Sequence, residues 1–169
     1  MGVRIASLVR EVTAGGETYR LRPMVVGDLE RVIEIEAGWA PAPWSLATFR
    51  NEIGVPFSRA SVVHSVREPE VVSGYVVRWL VAGEMHLLSF AIRAQERGKG
   101  LGRALLDGLL VEADEDAVEL VTLEVEAANS VARHLYAARG FTEVRRREGY
   151  YGAGRDAVVM DLRLGRVVS

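Results

Sequence analysis

Four groups of residues have types and spacings that could do chemistry. The first is Arg97-Gly98-Lys99-Gly100-Leu101-Gly102, a glycine-rich turn between an apolar strand at Glu84–Ile92 and a helix that continues through Arg103-Ala104-Leu105-Leu106 towards Val111. A helix start leaves backbone N–H groups unpaired, and these donors sit at the positive end of the helix dipole. Such a turn can hold phosphate or another anion, although a glycine turn alone is equally an ordinary tight turn. The spacing is neither a Walker A loop, which needs Lys-Ser/Thr after the last glycine, nor a dinucleotide-binding Gly-x-Gly-x-x-Gly. The second group is a pair of carboxylates, Glu124 and Glu126. In Leu120–Glu126 the side chains of Val121, Leu123 and Val125 share one face, and Thr122, Glu124 and Glu126 share the other. Either glutamate could accept a proton, and either could simply face solvent. The third is Tyr136, on a helix capped by Asn129 or Ser130, beside a predicted core stripe of Val131, Leu135 and Ala138. An aromatic at such a place ordinarily packs. The fourth is a set of aromatics, Trp44, Phe49, Tyr150 and Tyr151, with Phe49 as readily core as surface. His64, His86 and His134 have no metal-ligating spacing.

The elements that must position these groups follow from periodicity and breakers. Residues 1–18 are the least legible and read as an extension, with a strand from Arg4 to Val12 pairing across Ala14-Gly15-Gly16-Glu17 as one alternative. Tyr19–Arg22 alternates and stops at Pro23, as an edge strand would. Asp28 opens a helix with Leu29, Val32, Ile33 and Glu36 at helical spacing, ended by Gly38. Pro41-Ala42-Pro43 breaks the chain, and Ser45 caps a second helix that closes at Gly54. Ser58–Val66 and Val71–Val81 read as strands. The acidic run Glu112–Asp116 reads as a solvated helix end. Phe141–Arg147 and Arg155–Leu164 are the last strands, around a loop containing Tyr150 and Tyr151. Strands adjacent in sequence favour antiparallel pairing, and the two later helices can serve as crossovers. The expectation is a mixed, mostly antiparallel sheet of about seven strands with about four helices, forming one domain over residues 19–169.

Composition narrows the function classes. The chain has 169 residues, 49 % apolar, with net charge −2, which suits a globular protein and points to neither nucleic acid nor an anionic membrane as a partner. There are no cysteines, so disulfides, thiolate metal sites and cysteine nucleophiles are excluded, and a reducing compartment fits. No apolar run is long enough to cross a bilayer, and Met1–Val12 lacks a signal-peptide h-region. Lys99 is the only lysine among 21 basic residues. A base-composition bias is the preferred explanation over a lysine kept for phosphate contact, since arginine would serve there too.

Taken together, Phe90-Ala91-Ile92 followed by Arg97-x-x-Gly100-x-Gly102 resembles the acetyl-CoA signature of the GNAT superfamily of N-acetyltransferases. Pro43-Trp44-Ser45 with Phe49, Leu123-Glu124-Val125, Asn129-Ser130, Leu135-Tyr136 with Gly140-Phe141, and Arg146-Arg147 with Tyr150-Tyr151 resemble its RimI group, the ribosomal-protein-alanine N-acetyltransferases. The likeness covers roughly residues 19–162 in order. One departure is local: Arg147-Glu148-Gly149-Tyr150 is a residue longer than the usual Arg-x-Tyr-Tyr form.

The resemblance implies a GNAT fold splayed between the fourth and fifth expected strands, those carrying Ala91 and Glu124. It implies acetyl-CoA as donor, with no metal, bound by Phe90, Ala91, Ile92, Arg97, Gly98, Lys99, Gly100, Leu101, Gly102, Arg103, Asn129 and Tyr136. Glu124 is implied as general base and Tyr136 as general acid. Trp44, Phe49, Tyr150 and Tyr151 are implied as walls of a groove for a protein or peptide N-terminus, in a cytoplasmic monomer or weak dimer. Three other functions are open on sequence alone: acetylation of a lysine or small amine, a non-catalytic acyl-CoA-binding module, and a nucleotide-binding domain.

Overall fold

A computed structural model describes residues 9–40 and 42–165. The start of the predicted first strand, from Arg4, and Pro41 of the predicted breaker lie outside the described residues. The strands are β1 (Arg10–Ala14), β2 (Glu17–Pro23), β3 (Ser58–Ser65), β4 (Gly74–Val81), β5 (Glu84–Ile92), β6 (Leu120–Glu126), β7 (Thr142–Arg147) and β8 (Ala157–Arg163). The helices are α1 (Leu29–Ala37), α2 (Leu46–Gly54), α3 (Leu101–Glu115) and α4 (Ser130–Ala137). One sheet has the order β1-β2-β3-β4-β5-β6-β8-β7. Its β5–β6 pair is parallel, while β1–β2, β2–β3, β6–β8 and β7–β8 are antiparallel. The sheet therefore has eight strands, where about seven were expected.

The additional strand is β1. It pairs with β2 from Arg10↔Leu21 to Ala14↔Glu17, across a turn with Gly15 and Gly16 at φ +57° and +77°. Consequently β2 is not an edge strand, as Pro23 had suggested. Pro23 is tolerated because β1 pairs only as far as Leu21, so no ladder bond is needed on that side.

Contacts divide the chain into two compact units. One holds residues up to Val77 together with Ser89–Gly108; the other holds Arg78–Leu88 and the chain from Leu109 onward. The strands β4 and β5 and the helix α3 contribute residues to both. In the first unit Tyr19, Leu29, Val32, Phe49, Tyr75 and Leu105 are fully or almost fully buried. Burying a side chain of this size stabilises by about 1.5–3 kcal/mol. On α1 the buried face is Leu29, Val32, Ile35 and Glu36, so Ile35 takes the place expected for Ile33. Ser45 caps α2 as predicted, its hydroxyl accepting the Thr48 N–H at 3.1 Å.

In the second unit β6 alternates as expected, with Val121, Leu123 and Val125 buried. The predicted solvated acidic run is corrected at Glu112, which is 2 % exposed. Its carboxylate accepts two hydrogen bonds of 2.7 Å from buried Arg78 on β4. That bidentate pairing offsets the cost of taking the charge out of water. On α4 the predicted core stripe is also corrected. Val131 is 81 % exposed, and Tyr136 is the buried residue of the helix, 5.7 Å ring to ring from Phe141.

Candidate active site

In the first unit, β5 ends at Ile92 and a short 3-10 turn over Ala94–Glu96 leads to the glycine turn. Gly98 and Gly100 lie at φ +79° and +82°, where a side chain would cost about 1–2 kcal/mol per residue. No atom lies within 4 Å of where a Cβ at either would stand, so the glycines serve backbone conformation and leave open space above the turn. The Ala104 N–H bonds the Gly100 carbonyl at 3.0 Å and begins the helical ladder of the fifteen-residue α3. The N–H groups of Leu101, Gly102 and Arg103 therefore precede that ladder and have no intrahelical acceptor. A Cβ at Gly102 would meet only Ile92 Cγ1, at an ordinary contact distance of 3.7 Å.

The cations around the turn differ in their engagement. Arg103 is exposed. Arg97 donates from Nε to the Ile92 carbonyl at 3.1 Å. Lys99, expected at the anion, donates instead to Glu96 at 3.2 Å. Glu96 also accepts Arg93 at 2.9 Å and the Tyr19 hydroxyl at 3.0 Å. Burial pushes the Glu96 pKa up, but the hydrogen bonds from Lys99, Arg93 and Tyr19 outweigh it and hold the carboxyl below its ordinary value.

The strand segment Phe90-Ala91-Ile92 alternates, with Ala91 buried and its neighbours half-buried. Behind it, β4 presents Gly74 with no side chain. A Cβ there would stand 2.7 Å from the Ala91 carbonyl oxygen, so β4 meets β5 backbone to backbone at this point. Trp44 is half-buried and stacks on Phe49 at 5.2 Å. Phe49 is 0 % exposed and meets Tyr75 edge-on at 5.3 Å. Phe49 thus supports Trp44 from the core and does not itself wall a groove.

The second unit brings Glu124, Tyr136, Tyr150 and Tyr151 into one electrostatic neighbourhood. The parallel β5–β6 register runs from Glu84↔Leu120 to Leu87↔Leu123 and ends one residue short of Glu124, while β6 stays paired to β8 through Glu124↔Val159. The Glu124 side chain is 28 % exposed and lies 3.1 Å from the Arg147 guanidinium. The charge on Glu124, then burial and a hydrogen bond to Glu124, raise the Tyr150 pKa. Arg147 also lies over the Tyr150 ring, 5.5 Å from its centroid. Burial, followed by Glu124, pushes Tyr151 up to about 12, so its hydroxyl stays protonated near neutral pH. Burial raises the Tyr136 pKa strongly, with a further contribution from Tyr151. Glu126 pairs instead with Arg155 at 2.8 Å. The Asn129 side-chain oxygen accepts the Ala132 N–H at 3.1 Å and caps α4.

The loop after β7 accommodates its longer spacing through Gly149, Gly152 and Gly154, all at positive φ. Asp156 fastens it, accepting the Gly149 N–H and Arg146 Nε at 2.9 Å each. Arg147 was not among the expected site residues. The Arg-Arg pair ahead of the two tyrosines was its visible signal.

A carboxylate and a buried phenol in one neighbourhood can move protons in opposite directions, and an open glycine turn whose amides lack an intrahelical acceptor suits a diphosphate. Residues 29–141 match the acetyltransferase (GNAT) family. The chain belongs to that family. GNAT enzymes transfer acetyl from acetyl-CoA to an amine, and this chain is an acetyl-CoA-dependent N-acetyltransferase. The [ribosomal protein bS18]-alanine N-acetyltransferase of Haemophilus influenzae is 35 % identical over 137 residues, 79 % of this chain and 90 % of that protein. Its Escherichia coli counterpart is 32 % identical over 138 residues, 80 % of this chain and 90 % of that protein. The crystal structure of the ribosomal-protein-S18-alanine N-acetyltransferase from Escherichia coli superposes with TM-score 0.78 at 27 % identity, covering 89 % of this chain and 99 % of that one. Ard1 from Thermoplasma volcanium shares the fold, with TM-score 0.76 at 24 % identity over 88 % of this GNAT chain and 99 % of its own.

Proposed function

We propose that this GNAT enzyme acetylates the α-amine of a protein N-terminus, with the N-terminal alanine of a small-subunit ribosomal protein as acceptor. The observation that carries this is the likeness to bS18-alanine N-acetyltransferases over about four-fifths of the chain. Acetyl-CoA supplies the acyl group as a thioester. The N–H groups of residues 98–103 and the Arg103 side chain hold its diphosphate, and Phe90, Ala91 and Ile92 bind the pantetheine arm through their backbone. A backbone N–H in that strand segment stabilises charge on the thioester oxygen.

An α-ammonium has a pKa of about 7.7–8.0, so the attacking amine must lose a proton. Glu124 accepts it, directly or through water. As the new N–C bond forms and the C–S bond breaks, the sulfur leaves with the electron pair and takes a proton from Tyr136. Burial favours the neutral phenol, which keeps that proton available. Arg147 and Tyr150 orient the Glu124 carboxylate. Trp44 borders the acceptor. Residues 19–169 form the acetyltransferase domain and residues 1–18 an extension. The protein acts in the cytoplasm as a monomer or weak dimer, and among the described residues no helix is long and apolar enough to cross a membrane.

The test is mass spectrometry of peptides beginning with Ala, Ser, Met or Gly, beside internal-lysine peptides and polyamines, after incubation with acetyl-CoA. The Ala-initiated peptide is expected to gain one acetyl group at its N-terminus. Glu124→Gln should lower kcat by about 10²–10⁴-fold near neutral pH with little change in acetyl-CoA affinity. Acetylation confined to lysine or polyamine would replace the acceptor, and a wild-type rate in Glu124→Gln would remove the base.

A further inference from the structure

The last turn of α1 carries a carboxylate that the chemistry above does not use. Glu36 is 2 % exposed and sits at a helix end where the dipole disfavours negative charge. Burial raises its pKa against the opposing hydrogen bonds from the Trp44 N–H and Ser89. One carboxylate oxygen accepts the Trp44 N–H at 3.1 Å. The other accepts the Tyr75 hydroxyl on β4 and the Ser89 hydroxyl on β5, the latter at 3.4 Å. The Tyr75 oxygen in turn accepts Trp39 Nε1 at 3.3 Å. Trp39 and Trp44 lie in the connection between α1 and α2, and one buried cluster ties both to the sheet. Their side chains remain partly exposed, Trp39 at 37 %.

We propose that Glu36 is a positioning residue for the acceptor. By holding the α1–α2 connection, and Trp44 with it, Glu36 sets the affinity for the first residues of the peptide. This rests on Trp44 bordering the acceptor, as proposed above. The role needs an acceptor for the Trp44 N–H and a polar partner for Tyr75, not a negative charge. A glutamine supplies both: its oxygen accepts from Trp44, and its NH₂ donates to the Tyr75 or Ser89 oxygen. A leucine of similar size supplies neither: the Trp44 N–H loses its acceptor, and the Tyr75 and Ser89 hydroxyls can donate only across their 3.2 Å contact with each other.

The experiment compares wild type, Glu36→Gln, Glu36→Leu and Tyr75→Phe. It measures kcat, KM for acetyl-CoA, KM for the Ala-initiated peptide, and acrylamide quenching of tryptophan fluorescence. Two of the three tryptophans lie in this connection, so quenching reports its tether whether or not any peptide is turned over. Glu36→Leu should raise peptide KM about tenfold and increase quenching, with kcat and acetyl-CoA KM within about twofold. Tyr75→Phe should raise peptide KM about threefold, and it decides the matter if the leucine variant does not fold. Glu36→Gln should match wild type within about twofold in every measurement. A glutamine variant as impaired as the leucine variant would overturn the proposal, because charge would then be what matters. Leucine and phenylalanine variants with wild-type quenching and peptide KM would overturn it too. If wild type acetylates no peptide, the acceptor assignment falls, and quenching alone then upholds or overturns the tether.

Discussion

Replacing Gly74 by alanine tests how tightly β4 backs the strand segment proposed to bind the thioester. The added Cβ would lie 2.7 Å from the Ala91 carbonyl oxygen, 2.9 Å from Ile92 Cδ1 and 3.2 Å from Val63 Cγ1. The two side-chain atoms can rotate away. The carbonyl oxygen cannot move without its peptide, so β5 must retreat by roughly 0.7 Å at Ala91 to reach ordinary packing distance. Overpacking of this kind costs about 1–3 kcal/mol. In a chain of this length each kcal/mol lowers Tm by about 2–4 °C, giving an expected loss of about 2–12 °C in calorimetry. The same displacement exceeds the tolerance of a preorganised donor, about 0.5 Å at most. A fall of about tenfold in kcat/KM for acetyl-CoA should accompany it. Gly98→Ala is the control: its Cβ meets nothing within 4 Å, but its backbone sits at φ +79°. That variant should lose about 1–2 kcal/mol from strain alone. A Gly74→Ala protein with wild-type Tm would refute the packing. A lowered Tm with unchanged kcat/KM would refute the link between Ala91 and the thioester.

Two further outcomes concern buried charge. Glu112→Leu or Arg78→Met alone should cost about 3–5 kcal/mol in urea unfolding, because each removes the bidentate partner of a charge that stays buried. The double variant should recover most of that loss. Asp28 supplies a pH dependence. Burial pushes its pKa up, but hydrogen bonds from Arg22, two of 2.8 Å, and from the Val25 N–H override this and hold it below the ordinary carboxylate value. A carboxyl depressed in the folded state stabilises fully above its unfolded pKa and loses that contribution as pH falls through the folded one. Asp28→Asn should therefore lower Tm at pH 7, and the gap from wild type should close below about pH 4.

Much of this architecture is local and so was legible in the sequence. Alternation named the buried face of β6, since side chains on a strand switch faces at every residue. Ser45 and Asn129 could be read as caps because a cap satisfies donors two or three residues ahead. The glycine turn was readable because residues with a Cβ rarely adopt the backbone of Gly98 and Gly100. The family likeness implied the roles proposed for Glu124 and Tyr136, which alternation and helical spacing left open.

What the sequence left undecided depends on partners far along the chain. Glu36 reads as a helix-face glutamate until Tyr75 and Ser89 close on it from β4 and β5. Glu112 reads as solvated until Arg78, 34 residues earlier, meets it in the core. Val131 and Tyr136 exchange their expected places because the face that α4 buries is chosen by what it packs against, and Phe141 is part of that surface. Glu124 and Glu126 are equivalent by strand period, and only the hairpin of β7 and β8 distinguishes them, giving one to Arg147 and Tyr150 and the other to Arg155. Period, cap and turn are properties of a few neighbouring residues, so the sequence by itself determined them. The burial of a charge and the partner of a carboxylate depend on desolvation and long-range pairing, and only the tertiary structure decided those.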